Sequence, residues 1–225
     1  MTRYLISFAF CVLSVLSAAA GTLPVVMENK HKVETIGAAK AEGVAEAVRT
    51  ALDEKGYRVS EATGKVVCEI WFRSDIATVK AEVDGAGFAQ LQDGSLMGVI
   101  NFPKDTSDYR GQGIRAGWYT LRYAIMPVNG SHLGVSPTRD FFVLCPAAED
   151  KDPDKQIKGE DLIKLSSGAA GSGHVSPWSL VSVGSKEGLP RIETTEEGHV
   201  ILEVSLKTKS GEQPLGITVI GKTEG

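Results

Sequence analysis

Apolar and polar residues alternate along much of this chain, and a period of two predicts β-strands. In residues 65–73, for example, Cys68, Ile70 and Phe72 fall on one face and Glu69 falls on the other. The same alternation predicts strands at residues 78–83, 96–102, 118–126, 140–145, 180–183, 200–206 and 217–220. Short strands separated by Gly, Pro, Asp and Asn residues favour a mainly β fold, an antiparallel β-sandwich of the immunoglobulin-like or a related kind.

One segment has the period of a helix instead. Ala41, Val44, Val48 and Leu52 recur at three- and four-residue intervals, with charged residues between them. Gly56 follows and suits the left-handed position at which helices end. The pattern predicts one amphipathic helix at about residues 41–55. A parallel sheet is not expected, because it needs a helical crossover for each pair of strands.

The N-terminus has the organisation of a secretory signal peptide. Arg3 precedes an apolar run of about twelve residues, which ends in the small residues 17–20. Because this run is too short to cross a bilayer, a permanent anchor is the weaker alternative. We therefore predict a signal peptide at residues 1–20 and a single domain at residues 21–225. The mature chain is expected to be periplasmic or secreted, with no membrane span.

Composition narrows the class of partner. The 225 residues are 42% hydrophobic and 23% charged, as in an ordinary globular protein. With 24 Lys and Arg against 28 Asp and Glu, and no long basic run, the chain lacks the footprint of a nucleic-acid-binding protein. Residues 147–158 are highly charged and residues 166–177 are rich in Gly and Ser. They are either surface loops or a subdivision near 147–177 between two smaller domains.

Two cysteines remain after the predicted cleavage, Cys68 and Cys145. In an oxidising compartment they allow one disulfide bond. The alternative is a pair of buried free thiols, since Cys is among the most buried residue types. The sequence leaves both possibilities open.

Candidate functional residues concentrate in residues 108–140, where Gly and Pro mark turns. Turns and strand ends are where a β domain usually displays binding residues. The candidate ligand-binding residues are Tyr109, Arg110, His132, Arg139, Asp140 and His174. The plainer interpretation is that they shape turns and pair with their neighbours.

Sequence motifs of common enzymes and cofactor sites are missing, among them G-x-S-x-G, H-E-x-x-H, C-x-x-C and phosphate- or calcium-binding loops. We therefore expect no cofactor and no metal. If the loops of His132 and His174 lie at the same end of the domain, the two histidines could meet, with Asp140 or Asp108 as a third metal ligand or an acid–base partner. Serines beside His174 suggest a nucleophile only weakly. The sequence also disfavours an aromatic carbohydrate platform, because Trp118 and Tyr119 alternate along one strand and face opposite sides of the sheet.

Several of these stretches together resemble a family of exported bacterial proteins of unknown function: residues 67–72, 96–102, 108–112, 117–123 and 129–142. The resemblance covers about residues 40–150 and implies export and a β-rich fold, with no activity or catalytic residue to carry over. The leading hypothesis is a non-catalytic binding or cell-envelope module. Its ligand is unknown, with a carbohydrate and an envelope protein as the classes considered.

Two other functions stay open at this point. One is a metal-dependent or histidine-based hydrolase with its site in the loops around His132 and His174. The other is a structural subunit that recruits a further chain through an exposed edge strand.

Overall fold

A computed structural model describes residues 30–127 and 138–221 of the chain. The predicted signal peptide and His132 lie outside the described residues. Strands dominate the fold: β1 His31–Ile36, β2 Leu52–Glu61, β3 Val66–Arg73, β4 Leu96–Phe102, β5 Thr106–Ser107, β6 Gly113–Ile114, β7 Gly117–Ile125, β8 Asp140–Pro146, β9 Ser176–Val181, β10 Arg191–Thr194, β11 Val200–Thr208 and β12 Gly211–Ile220. The two helices are α1 Glu46–Thr50 and α2 Glu160–Ala170.

Ten of the strands form one antiparallel sheet in the order β1-β2-β3-β4-β7-β8-β9-β12-β11-β10. The outer strands β1 and β10 come into contact, so the sheet is nearly closed into a barrel. The short strands β5 and β6 form a separate hairpin. The predicted mainly β, antiparallel class is confirmed. A sandwich is not confirmed, because one continuous ladder connects all ten strands.

The two ends of this barrel are distinguished by the strand register. Rim A is the end where Arg73, Ile125 and Asp140 lie, and rim B is the opposite end, where Phe102 and Ser176 lie. Inward-facing side chains fill the space between the rims, among them Ile70, Tyr123, Phe142, Trp178 and Leu202. Segment 76–95 covers rim A, while β6 and the end of α2 cover rim B. These segments add Ile76, Phe88, Leu91, Ile114 and Ala169 to the same core.

The helix predicted at residues 41–55 is largely wrong. Only Glu46–Thr50 is helical, and Leu52 already pairs with Arg73 as the first residue of β2. The apolar positions are nevertheless buried: Val44 and Val48 pack with Trp71 against the outer face of the sheet. The helical period therefore identified the buried side of the segment. Pairing with β3 decided the backbone, since it satisfies the N–H and C=O groups of β2.

The other differences have a similar origin. Residues 78–83 contribute only an isolated bridge between Thr78 and Leu91. The strands that the sequence does not predict are β1, β2, β5, β6 and β10. The second half of helix α2 falls in the Gly- and Ser-rich residues 166–177, which the sequence suggests to be a loop. Its Leu162 packs against Phe141 and Val143 on the outer face of β8. Among the described residues, no helix is long and apolar enough to span a membrane.

A buried ion pair fixes the charged segment 147–158 to the outer face of the sheet. Arg122 on β7 and Asp150 are both buried, and the guanidinium binds the carboxylate through two bonds of 2.7 Å. The three remaining donors of Arg122 reach the main-chain oxygens of Gly94, Asp152 and Lys155, at 2.6–3.0 Å. All five N–H groups of this guanidinium are thus satisfied. The segment is therefore held against the sheet at Asp150, Asp152 and Lys155.

Removing the guanidinium should leave the Asp150 carboxylate buried without a cation. We expect Arg122→Met to lower the free energy of unfolding by about 3–5 kcal/mol, measured by urea denaturation. Arg58→Met is the matched control. It breaks a partly exposed pair with Glu69 on neighbouring strands, for which we expect a loss of about 1 kcal/mol or less. Equal losses for the two variants would contradict the central role of Arg122.

Gly56 should be equally intolerant of a side chain, for a steric reason. A Cβ at this position would lie 2.3 Å from Nε1 of Trp71, which is itself held by a 2.8 Å hydrogen bond to the Gly37 oxygen. We expect Gly56→Ala to cost about 1–3 kcal/mol and to change the tryptophan emission. Gly184→Ala is the control, since open space surrounds that glycine. A wild-type unfolding midpoint for Gly56→Ala would show that Trp71 can move.

Candidate functional site

The sequence-predicted site residues fall at opposite rims. Tyr109, Arg110 and His174 belong to rim B, whereas Arg139 and Asp140 belong to rim A. Strands β8 and β9 pair from Phe141 and Ser179 to Leu144 and Ser176. The four residue steps from 140 to 144 alone therefore separate the two groups by about 13 Å. The structure does not bring these candidates together, and His132 lies outside the described residues.

At rim B, a buried aspartate shapes the β5–β6 hairpin. The Asp108 carboxylate accepts the N–H groups of Arg110 and Gln112, both at 2.9 Å, and the Gln112 side-chain amide at 2.7 Å. Burial raises the pKa of Asp108, while these hydrogen bonds act to lower it. The same Gln112 amide donates to the Val175 oxygen at 3.0 Å, which joins the hairpin to the loop before β9. Asp108 therefore organises the backbone of the hairpin.

The other rim B candidates also have structural contacts. Tyr109 is buried, donates its N–H to the Pro177 oxygen at 3.0 Å, and packs edge-on against His199 with 5.9 Å between ring centroids. His174 is exposed, and its N–H donates to Ser172 Oγ at 3.4 Å. The Ser172 hydroxyl in turn donates to the Gln112 side chain. Within residues 30–127 and 138–221, no three His, Cys, Asp or Glu side chains could hold a metal ion.

At rim A, Asp140 anchors segment 76–95. This fully buried carboxylate accepts the N–H groups of Gly87 at 2.7 Å and Phe88 at 3.2 Å, and the Tyr123 hydroxyl at 2.5 Å. Desolvation and the Asp140 carboxylate both raise the pKa of Tyr123, so its hydroxyl stays a donor. Arg139 donates to the Met126 oxygen at 2.9 and 2.7 Å, and to the Asp84 oxygen. Both residues hold the rim in place.

Beside this anchored segment lies an open groove, here called the rim A groove, with a volume of about 420 Å³. Its lining is mainly apolar and comes from segment 76–95, the end of β7 and segment 147–158. The apolar lining residues are Val79, Ala81, Val83, Ala89, Leu91 and Ile125, and the polar ones are Gln92, Asp93 and Gln156. A second depression of about 560 Å³ adjoins it and is lined by residues 81–87, 89 and 90, including Glu82 and Asp84.

Asp93 supplies the titratable side chain of the rim A groove. It is half-buried, and its carboxylate accepts the N–H of Ile125. Burial raises the pKa of Asp93, and this effect outweighs the hydrogen bond from Ile125 and the attraction of Lys158, which lower it. The Gln156 amide donates to the Asp93 main-chain oxygen at 2.6 Å. None of the described residues forms an ion pair with the Asp93 carboxylate.

Sequence reasoning missed this groove. Its lining is spread over residues 79–156, and only tertiary contacts bring Gln156 beside Asp93. The one local signal is the alternation in residues 78–83, which predicts a strand and which in the structure contributes Val79, Ala81 and Val83 to the groove. No spacing rule connects that alternation with a carboxylate ten residues later.

The aromatic residues considered for a carbohydrate platform do not share an exposed face. Tyr119, Tyr123 and Trp178 belong to the barrel interior. Trp71 is buried on the outer face, where it packs against Trp118 with 5.6 Å between ring centroids. Among the described residues, these side chains act as core.

Cys68 and Cys145 are both buried and free, so the disulfide considered from the sequence is not formed in the structure. Cys68 belongs to the interior, whereas Cys145 lies in the outer cluster beneath α2. Three strand spacings, from β3 through β4 and β7 to β8, separate them by about 14 Å along the sheet. That is well beyond the Cα separation of about 4.4–6.8 Å that a disulfide needs.

We therefore expect both thiols to be unreactive in the folded chain, since burial raises the pKa of Cys68 and Cys145 and the thiolate is the reactive form. Iodoacetamide should label neither residue in the native protein and both after unfolding without reductant, as read from the masses of the two peptides. A cross-linked peptide pair in a non-reducing digest would contradict this expectation.

Comparison of the chain with protein-family models, with curated proteins and with solved structures found no match. The resemblance to an exported bacterial family thus stays a prediction. The geometry of the rim A groove is therefore the basis for a function.

Proposed function

We propose that this chain is an exported, non-catalytic binding module that takes an apolar ligand in the rim A groove. The observation that carries the proposal is an open concavity of about 420 Å³ lined mainly by apolar side chains. Small-molecule sites in proteins typically have volumes of about 300–1,000 Å³ and an apolar lining with a few placed polar groups. Gln92, Asp93 and Gln156 are such polar groups here.

The contacts that hold segment 76–95 in place favour a preformed site. Segment 76–95 carries most of the lining, and it is attached to the sheet by Asp140 through two backbone N–H groups and to the core by Phe88 and Leu91. Buried hydrogen bonds and apolar contacts restrict the motion of a loop. Because little ordering is then needed on binding, little of the ligand's interaction energy is lost.

The lining also bears on the class of ligand. Four larger aliphatic side chains and two alanines line the groove, with no aromatic side chain among them: Val79, Val83, Leu91 and Ile125, with Ala81 and Ala89. Sugars are usually recognised by aromatic faces and dense hydrogen bonding, so the groove favours an apolar body over a carbohydrate. An envelope protein is a less direct fit, because the outer strands β1 and β10 contact each other instead of offering two separate edges.

No observation among the described residues favours the hydrolase alternative. Arg110 and His174 lie at the rim opposite to Asp140, and Asp108 is occupied by three hydrogen bonds. A catalytic site needs its titratable groups to converge on one reacting atom. The binding module is therefore the function that the geometry supports best.

Fluorescence titration with N-phenyl-1-naphthylamine, a neutral apolar probe, tests the proposal. We expect saturable enhancement by the full chain. Ala81→Trp, which places an indole in the groove from an exposed position, should weaken binding by about tenfold or more, or ~1.4 kcal/mol. Ala62→Trp is the control, because Ala62 is exposed in the turn between β2 and β3 at rim B.

Both variants carry the same apolar N-terminal run, so any probe bound there cancels in the comparison. Equal affinities for Ala81→Trp and Ala62→Trp, or no saturable binding by the wild-type chain, would overturn the proposed function.

A further inference from the structure

We infer that the rim A groove selects ligands that carry a cationic group on an apolar body, with the Asp93 carboxylate contacting the cation. This inference deepens the proposed function and rests on it. Its basis is the contrast within the groove between an aliphatic lining and a single half-buried carboxylate.

The Asp93 carboxylate has unused hydrogen-bonding capacity. An ionised carboxylate offers about four lone-pair sites. In the structure, the Asp93 carboxylate accepts one backbone N–H, that of Ile125. Asp140 at the same rim accepts three donors, and Asp108 at the other rim accepts three as well. Asp93 alone of these three keeps acceptor sites facing a concavity.

The charged groups around Asp93 also favour a cationic ligand. Lys158 is the cation that Asp93 senses, yet the two form no ion pair within 4.0 Å. The Arg139 guanidinium is already bonded to the oxygens of Met126 and Asp84. Glu82 and Asp84 line the adjoining depression and add negative charge beside the groove. A cationic ligand would therefore meet carboxylates at this rim and form an ion pair with Asp93.

Placing the Asp93 carboxylate in the groove also costs folding stability. Burial makes the ionised form of Asp93 less favourable in the folded chain than in the unfolded chain, as its raised pKa indicates. Wherever the group is ionised in both states, this difference lowers stability. The cost decreases as the pH falls through the folded-state pKa and is gone below the unfolded-state pKa. A residue that costs stability in the free protein is typical of a binding site.

Displacement of N-phenyl-1-naphthylamine by three decyl compounds at pH 7 tests the inference. The compounds are decylamine, which is protonated at this pH, neutral 1-decanol and anionic decanoate. We expect decylamine to displace the probe at about tenfold lower concentration than 1-decanol, the size of a hydrogen bond to a charged group, and decanoate to be the weakest. Asp93→Asn should abolish the preference for the amine.

Asp84→Asn is the matched control. It removes the same charge from the neighbouring depression while leaving the half-buried carboxylate in place, and it should retain most of the amine preference. Asp93→Asn should also have an unfolding midpoint equal to or higher than that of the wild type. A lower midpoint together with an unchanged preference would assign Asp93 a structural role and overturn the inference.

The two proposals fail in different ways. If the neutral probe does not bind, the proposed function of the groove is wrong. If the probe binds and the three decyl compounds displace it equally, the groove stands as a binding site and the cationic class is wrong. If Asp84→Asn and Asp93→Asn reduce the amine preference equally, the preference reflects the general charge of the rim, and the contact with Asp93 is overturned.

Discussion

The ion pair between Arg122 and Asp150 connects the barrel to the charged segment 147–158. Five donors of one guanidinium hold a carboxylate and three main-chain oxygens, so the charged segment 147–158 lies against the sheet with the oxygens of Asp152 and Lys155 hydrogen-bonded. One of those oxygens belongs to Gly94, directly after Asp93, and the segment also supplies Gln156 to the rim A groove. A wall of the candidate site thus depends on a bond formed on the outer face of the sheet. Breaking such a pair is costly because the partner charge stays buried.

Buried aspartates fulfil the same structural role at both rims. Asp108 and Asp140 each accept two backbone N–H groups and one side-chain donor, and each attaches a covering segment to the barrel. A buried carboxylate that accepts several donors is stabilised and has little capacity left for chemistry. Asp93 differs because it is half-buried, accepts one backbone N–H and faces a groove. This contrast, more than the presence of an acidic residue, distinguishes a candidate site from a structural contact.

A nearly closed antiparallel sheet also explains why the candidate residues of the sequence separate. Neighbouring strands run in opposite directions, so residues close in sequence at two successive turns lie at opposite rims. Tyr109 and Arg110 precede β7, whereas Arg139 and Asp140 follow it, and the length of one strand lies between them. The barrel interior is packed with side chains, which leaves the rims and the outer face for ligands.

The sequence by itself determined the strand class and the buried faces, because alternation with a period of two is a local property of the chain. It predicted β4 at its observed bounds and the cores of β3, β7, β8 and β11, and it identified Val44 and Val48 as buried. Tertiary structure decided the backbone of residues 52–61, where pairing with β3 outweighed a helical period, and it formed α2 from a segment rich in Ser and Gly. It also decided the rim A groove, since the contact between Asp93 and Gln156 depends on a fold that brings together residues 63 positions apart. Local periodicity reports which side of a segment is buried, and only long-range pairing reports what lies against it.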